Sequence, residues 1–165
     1  MPVPHVLHER EGEALWFFGS LVVFKATAQQ TGGQFCLVDQ YGAKGFATPL
    51  HRQPTADETF TVLEGELRFF LPEREPITAP AGTTVYIPAG TVHAFEVCSE
   101  AARWLDLITA EHEAFFRAAG EPALARTLPP DTTPDMPKVT AAAQQHGVEF
   151  LGPPPGAAHM PPNAA

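Results

Sequence analysis

Four side chains with the chemistry of metal ligands lie in two short segments of the sequence. His51, Gln53 and Glu58 are close together, and His93 follows after a longer interval. Two imidazoles and one carboxylate on one side of a metal ion leave coordination positions open for a substrate. A metal ion held in this way polarises an oxygen atom of a bound molecule. The sequence therefore predicts one divalent metal ion as cofactor, and Fe, Ni, Mn, Zn and Cu all suit these ligands.

These side chains converge only if the chain around them forms strands of one barrel. His51 and Gln53 are two residues apart, so both project to one face of an extended strand. Glu58 opens the next strand after the polar turn PTAD, and a Pro-Ala-Gly turn precedes His93. We predict His51, Glu58 and His93 as ligands. Gln53 has two interpretations, because its amide oxygen is suited to be a fourth, neutral ligand or to hold a water molecule or substrate.

Most of the chain has the pattern of short β-strands. Runs rich in β-branched and aromatic residues follow one another from residue 15 to residue 109, and Gly and Pro residues separate them. Many short strands at this spacing are typical of an all-β sandwich or barrel. Alternation along ETFTVLE places Glu58, Phe60 and Val62 on the same face.

An apolar pocket is expected around the metal ligands. Alternation directs four apolar side chains inward, and Leu37 joins them if the third strand has the matching register. The four predicted pocket residues are Phe60, Val62, Phe69 and Phe95. An apolar pocket with a metal ion and few polar groups suits an apolar or aromatic small molecule.

The pattern changes after Thr109. AEHEAFFRAAGE predicts a helix with Thr109 as N-cap and Gly120 as its stop, and KVTAAAQQHG predicts a second short helix. Pro-rich segments surround the second helix. We predict an N-terminal arm over residues 1–13, a barrel over 14–109, and a helical, Pro-rich extension over 110–165.

The remaining ionisable residues are expected to be structural. We place His5, His8 and His159 in tails, and His112 and His146 on the solvated faces of the two helices. Asp39, Arg103 and Asp106 lie in strand segments, where we expect them on the outer face. The two cysteines, Cys36 and Cys98, are expected to be buried thiols.

Composition limits the class of partner. The chain has 165 residues, a formal net charge of −9 and no cluster of Lys or Arg, which argues against nucleic acid and anionic membranes. No apolar run approaches the roughly 20 residues of a membrane span, and the N-terminus lacks the apolar core of a signal peptide. We therefore expect a cytoplasmic protein. The aromatic strand from Trp16 to Phe24 predicts edge pairing in a homodimer.

Two segments resemble the two conserved motifs of the cupin superfamily. The first motif positions match Gly45, His51, Glu58 and Gly65, and those of the second match Gly82, Pro88, Gly90 and His93. Gln53 stands where the first motif usually has a second histidine, and Val97 replaces the usual asparagine. The resemblance spans roughly residues 35 to 107. It implies a single cupin, or jelly-roll, β-barrel, here with short C-terminal helices.

The flanking segments resemble bacterial single-barrel cupins of the quercetin 2,3-dioxygenase type. The similar runs are LWFFGSLVVFKATAQQTGG, FFRAAGEPA and HGVEFLGPPPG. This resemblance implies a metal-dependent dioxygenase acting on a flavonol-like, enol or aromatic molecule, with Glu58 as the catalytic base. Such enzymes normally offer three histidines and a glutamate, so Gln53 departs from them. A metal-assisted lyase or cyclase of secondary metabolism and a non-enzymatic small-ligand-binding cupin are the alternatives.

Overall fold

Short runs of β-branched and aromatic residues form the strands of a barrel in the computed structural model, which describes residues 3–130 and 133–156. Twelve strands and two helices lie within these ranges. The strands are β1 Ala14–Phe17, β2 Ser20–Ala26, β3 Cys36–Ala43, β4 Leu50–Arg52, β5 Glu58–Glu64, β6 Glu66–Phe70, β7 Ile77–Pro80, β8 Thr84–Ile87, β9 Ala94–Val97, β10 Ala101–Ile108, β11 Glu121–Pro122 and β12 Glu149–Gly152. The helices are α1 Ala110–Ala119 and α2 Met136–Gln145.

Two facing layers of antiparallel strands make the barrel. One layer has the order β11-β1-β2-β3-β10-β5-β8 among the described residues. The other joins β7-β6-β9 to the pair β12-β4 through isolated bridges, Ala47 with Glu96 and His51 with His93. Because β4 and β9 meet at this second bridge, the two layers enclose the segment that carries both predicted histidine ligands.

Aromatic side chains from both layers fill one end of the barrel. Phe60 of β5 lies 5.1 Å from Phe69 and 5.0 Å from Phe95 between ring centroids, with edge-on geometry. Trp104 of β10 packs edge-on against Phe95 at 5.5 Å. Packing of this kind adds to the free energy of burial, and it closes this end of the barrel.

The two helices cover the other end. Thr109 caps α1 by accepting a hydrogen bond from the amide of His112, and Gly120 ends the helix. Phe115 and Phe116 of α1 join an apolar cluster with β1, β2 and β3, and Val139 of α2 packs into the same cluster. No helix among the described residues is long and apolar enough to cross a membrane.

The predicted all-β barrel with short C-terminal helices is confirmed, and several details differ. The extended strand expected at His51 is β4, and sequence patterns missed the short strands β7 and β11. In β3 the register buries Cys36 and Val38, whereas Leu37 is half-buried, so Leu37 belongs to the outward set. Both cysteines are free thiols, and Cys98 is half-buried.

The strand expected to pair in a homodimer has no free edge in this fold. β2 lies between β1 and β3, and β11 covers the other side of β1. Edge pairing through the segment from Trp16 to Phe24 is therefore blocked by the chain itself. The homodimer stays a prediction, and two subunits would have to associate through a surface other than this strand.

Candidate metal centre

The backbone holds His51 and His93 side by side. The amide of His51 donates to the carbonyl of His93 at 3.0 Å, and the amide of His93 donates back at 2.8 Å. Residues that exchange both hydrogen bonds face each other directly across an antiparallel pair. Their imidazole centroids are consequently 4.3 Å apart.

Both imidazoles have their tautomers fixed by backbone carbonyls. Nδ1 of His51 lies 2.8 Å from the carbonyl oxygen of Pro49, and Nδ1 of His93 lies 2.9 Å from that of Thr91. A carbonyl oxygen only accepts hydrogen bonds, so each Nδ1 carries the proton. Each Nε2 is left with a free lone pair, which is the state that a metal-binding histidine needs.

The carboxylate of Glu58 completes the group. Ligand atoms of His51, Glu58 and His93 all lie within 4.8 Å of one another, and all three residues are buried. Nε2 of His93 faces Oε2 of Glu58 at 3.2 Å. Two lone pairs at this distance repel each other unless a cation lies between or beside them. The donor set therefore fits a divalent metal ion.

Burial and mutual charge set the protonation of these groups. Burial lowers the pKa of His51 to about 3, and the neighbouring His93 adds to the effect. Burial alone would raise the pKa of Glu58, but the His112 and His93 imidazoles hold it below its usual value. At neutral pH the site therefore presents a neutral His51 and an ionised Glu58, which are the metal-binding forms.

His112 lies in this site and corrects the prediction that it is solvated. Its side chain is only 4% exposed, and its Nδ1 is 3.9 Å from Oε1 of Glu58. The amide nitrogen of Gln53 donates to Oε2 of Glu58 at 3.3 Å and lies 3.3 Å from Nδ1 of His112. The alternation of β4 and β5 cannot reveal this contact, because His112 comes from a helix 59 positions beyond Gln53.

Asp106 also faces inward, which corrects its predicted place on the outer face. It shares its alternation phase along β10 with Trp104 and Ile108, and all three are buried. Asp106 is paired in register with Phe60, so Glu58 is its diagonal neighbour on the same face. Burial, followed by the charge of Glu58, raises the pKa of Asp106 well above its usual value. The raised pKa favours the protonated form of Asp106 next to the Glu58 carboxylate.

The other ionisable residues stay away from the centre. Asp39 and Arg103 pair with each other at 2.8 Å on the opposite face of their strands. His146 lies at the C-terminal end of α2 and faces Glu111 at 3.8 Å. His5 and His8 belong to the exposed N-terminal arm. His159 lies outside the described residues.

An aromatic cavity opens above the metal-ligand group. His51, Glu58, Asp106 and His112 form its polar floor and side. Apolar residues from the barrel and the C-terminal extension form its walls, namely Phe17, Phe18, Phe46, Pro49, Phe95, Phe115, Phe116, Val148 and Phe150. Its volume is about 40 Å³, far below the roughly 300 to 1,000 Å³ typical of drug-sized ligands.

Of the four predicted pocket residues, Phe95 lines this cavity. Phe60, Val62 and Phe69 do not line it, because they pack in the closed end of the barrel with Trp104. The sequence pattern identified inward-facing residues correctly but did not separate the closed end from the open one. The C-terminal extension supplies the walls that strand alternation could not predict.

A small β-barrel that carries inward-facing His, Glu and His ligands under an aromatic cavity defines the structural class. Residues 40–108 match the cupin domain family, and this part of the chain is a cupin domain. A quercetin 2,3-dioxygenase of Bacillus subtilis is 33% identical to the chain over 121 residues. That match covers 73% of this chain and 36% of the dioxygenase, so the chain spans little more than a third of its length.

Solved structures share the fold at lower identity. The polyketide cyclase RemF of Streptomyces resistomycificus is 19% identical with a TM-score of 0.58, and the match covers 85% of this chain and 99% of RemF. A cupin-like protein of Thermotoga maritima is 16% identical with a TM-score of 0.54, covering 90% of each chain. At these identities the matches show the fold alone.

Proposed function

We propose that this chain is a metal-dependent oxidoreductase of the dioxygenase kind, acting on an enol-bearing or aromatic small molecule such as a flavonol. The observation that carries the proposal is the buried ligand group of His51, Glu58 and His93, of which His51 and Glu58 line the floor of an aromatic cavity. The similarity to a quercetin 2,3-dioxygenase supports the substrate class. A dioxygenase places both atoms of O₂ in its product, so it needs no further reductant.

The chain's own residues supply proton transfer and positioning. A divalent ion bound by His51, Glu58 and His93 would act as a Lewis acid towards a substrate oxygen. Glu58 is ionised and lines the cavity, so it is placed to accept the enol proton. Gln53 holds this carboxylate by donating a hydrogen bond to it, and Asp106 is its diagonal neighbour on the same face. The phenylalanine walls exclude water and face the flat surface of an aromatic substrate.

A flavonol enters this cavity only after the cavity widens. Phe18 lines the cavity from the turn between β1 and β2, where its backbone has a positive φ of 55°. Phe115, Phe116 and Phe150 close it from the C-terminal extension. We propose that these aromatic side chains move apart when substrate binds.

The test is oxygen consumption by purified protein loaded in turn with Fe²⁺, Mn²⁺, Ni²⁺, Cu²⁺ or Zn²⁺ and supplied with flavonols and simpler enols. We expect uptake with at least one metal, and its loss in Glu58→Gln and His93→Ala. His8→Phe, in the exposed arm, is the matched control and should retain full activity. Metal content is measured for each variant, because Glu58 is both ligand and base. Metal-loaded protein that consumes no oxygen with any of these substrates would contradict the dioxygenase proposal.

A metal-assisted lyase or cyclase is the second candidate. The protonated Asp106 beside the ionised Glu58 favours it, because a paired acid and base suit proton transfer without a redox change. Turnover of an enol or polyketide-like substrate in the strict absence of O₂ would identify this activity. Zinc would then serve as well as a redox-active metal.

A further inference from the structure

We infer that His112 of α1 is a ligand of the metal ion, and that Gln53 is the residue that positions it. This inference rests on the metal site proposed above and extends it, because the barrel strands alone supply two imidazoles and one carboxylate. The third imidazole comes from the helix that covers the cavity.

The position of His112 relative to Glu58 carries the inference. Donor atoms that share one ion at about 2.1 Å lie roughly 3 to 4 Å from each other. Nε2 of His93 and Oε2 of Glu58 are 3.2 Å apart, and Nδ1 of His112 and Oε1 of Glu58 are 3.9 Å apart. His112 thus approaches the second oxygen of the same carboxylate. It lies outside the group of ligand atoms that are within 4.8 Å of one another, which is His51, Glu58 and His93. The inference therefore includes a small shift of α1 that brings His112 onto the ion when the ion binds.

The burial of His112 shows that it is not a solvated surface histidine. The His112 side chain is only 4% exposed, so solvent does not solvate its ring nitrogens. It packs edge-on against Phe116 at 4.7 Å and near Phe115 at 5.9 Å. Its polar neighbours are Gln53 and Glu58. An imidazole that lies beside a buried carboxylate within an aromatic wall is suited to metal binding rather than to solvent contact.

Gln53 connects the two groups. Its amide nitrogen is 3.3 Å from Oε2 of Glu58, and it is within 3.4 Å of both ring nitrogens of His112. Gln53 does not line the cavity, whereas Glu58 and His112 do. The amide therefore contacts both side chains from outside the cavity lining, which suits a residue that positions ligands rather than binding the ion.

The experiment counts imidazoles on the bound metal. Zn²⁺-loaded wild type, His112→Phe, His93→Ala and the control His8→Phe are compared by X-ray absorption at the zinc edge and by calorimetric titration with Zn²⁺. Phenylalanine preserves the aromatic packing of His112 and removes its nitrogens. We expect three imidazoles in the wild type and in His8→Phe, and two in His112→Phe. Zinc affinity should fall at least about tenfold in His112→Phe, since even residues that only contact ligands cost this much.

The outcomes separate this inference from the proposed metal site. Zinc bound by the wild type and lost in His93→Ala, with the same imidazole count in His112→Phe, would overturn the role of His112 and leave the metal site intact. No zinc binding by the wild type would overturn both. Thermal unfolding with EDTA shows whether His112→Phe is folded, and His112→Gln provides a second variant if it is not.

Discussion

The chemistry of this site depends on which side chains carry protons, and the surrounding residues determine this. Backbone carbonyls fix the protons of His51 and His93 on Nδ1, and burial keeps His51 neutral. Burial, followed by the negative charge of Glu58, raises the pKa of Asp106 and favours its protonated form. The arrangement concentrates negative charge on one carboxylate, which is where a divalent cation would bind.

The same protonation states predict how the stability of the metal-free protein depends on pH. His51 and His112 stay neutral in the folded state, whereas in the unfolded chain they bind protons below about pH 6.5. Their contribution is present above this pH and is lost as the pH falls. Asp106 acts in the opposite direction, because it holds a proton in the folded state that the unfolded chain releases above pH 3.8. Near pH 5 the unfolded chain binds about two protons on these histidines, and the folded protein binds one on Asp106. The unfolded chain then holds about one more proton than the folded protein.

We therefore expect the free energy of unfolding to fall as the pH drops below 6.5, with a slope that grows to about 1.4 kcal/mol per pH unit near pH 5. Urea unfolding with EDTA at several pH values measures this slope. His51→Gln removes one of the two titrating histidines and should flatten it. Stability that is constant or rises as the pH falls over this range would show that the two histidines are already protonated in the folded state.

Single residues of the site show which contacts the sequence predicts and which it does not. His51, Glu58 and His93 were predicted as neighbours because their spacing follows strand alternation and turn positions, and the structure brings them together. The inward position of Asp106 was predictable, since Asp106 alternates in phase with Trp104 and Ile108 along β10. The position of His112 was not predictable, because a helix that folds back over the barrel can place any of its faces against the cavity.

At the scale of elements, tight turns determine how the strands reach the site. β5 begins with Glu58 and is joined to β6 through Gly65 alone. Gly65 has a φ of +72°, and an added Cβ would lie 2.2 Å from the carbonyl oxygen of Ala101. The turn thus requires glycine both for its backbone conformation and for its close approach to β10.

Gly65→Ala is expected to destabilise the barrel more than the same change at Gly82. Gly82 also has a positive φ, +90°, but an added Cβ would have no atom within 4 Å. Gly82→Ala should therefore cost only the backbone strain of about 1 to 2 kcal/mol. Gly65→Ala adds a clash with backbone, and we expect a loss above about 3 kcal/mol. Chemical unfolding of both variants compares them, and equal losses would mean that the backbone near Ala101 moves aside.

Elements were predicted well where their composition was distinctive. The aromatic and β-branched runs became β2, β3, β5, β6 and β10, and Thr109 and Gly120 bound α1 as expected. The strands that were missed, β7 and β11, are short, and pairing rather than composition defines them. β11 is two residues long and is defined by its pairing with β1. Such pairing is a tertiary property, which local sequence does not encode.

At the scale of the whole molecule, the C-terminal extension turns an open barrel into a closed cavity. α1 contributes His112, Phe115 and Phe116, and β12 pairs with β4 so that Phe150 lies opposite His51. The extension therefore touches the metal-ligand group from two sides. A small closed cavity under a covering helix means that the metal ion, the helix and any substrate are energetically linked.

This linkage predicts that metal binding stabilises α1. If His112 is a ligand, an ion bound in the barrel also holds the helix, and local opening of α1 has to break that bond. Amide hydrogen exchange followed by mass spectrometry, with and without Zn²⁺, measures the effect on peptides that cover Ala110–Ala119. We expect exchange of these amides to slow at least about tenfold on metal loading in the wild type. In His112→Phe, a metal ion that is still bound by the barrel ligands should protect β4 and β9 without protecting α1. Equal protection of α1 in both proteins would mean that the helix closes over the site independently of the metal, and that His112 serves only the aromatic wall.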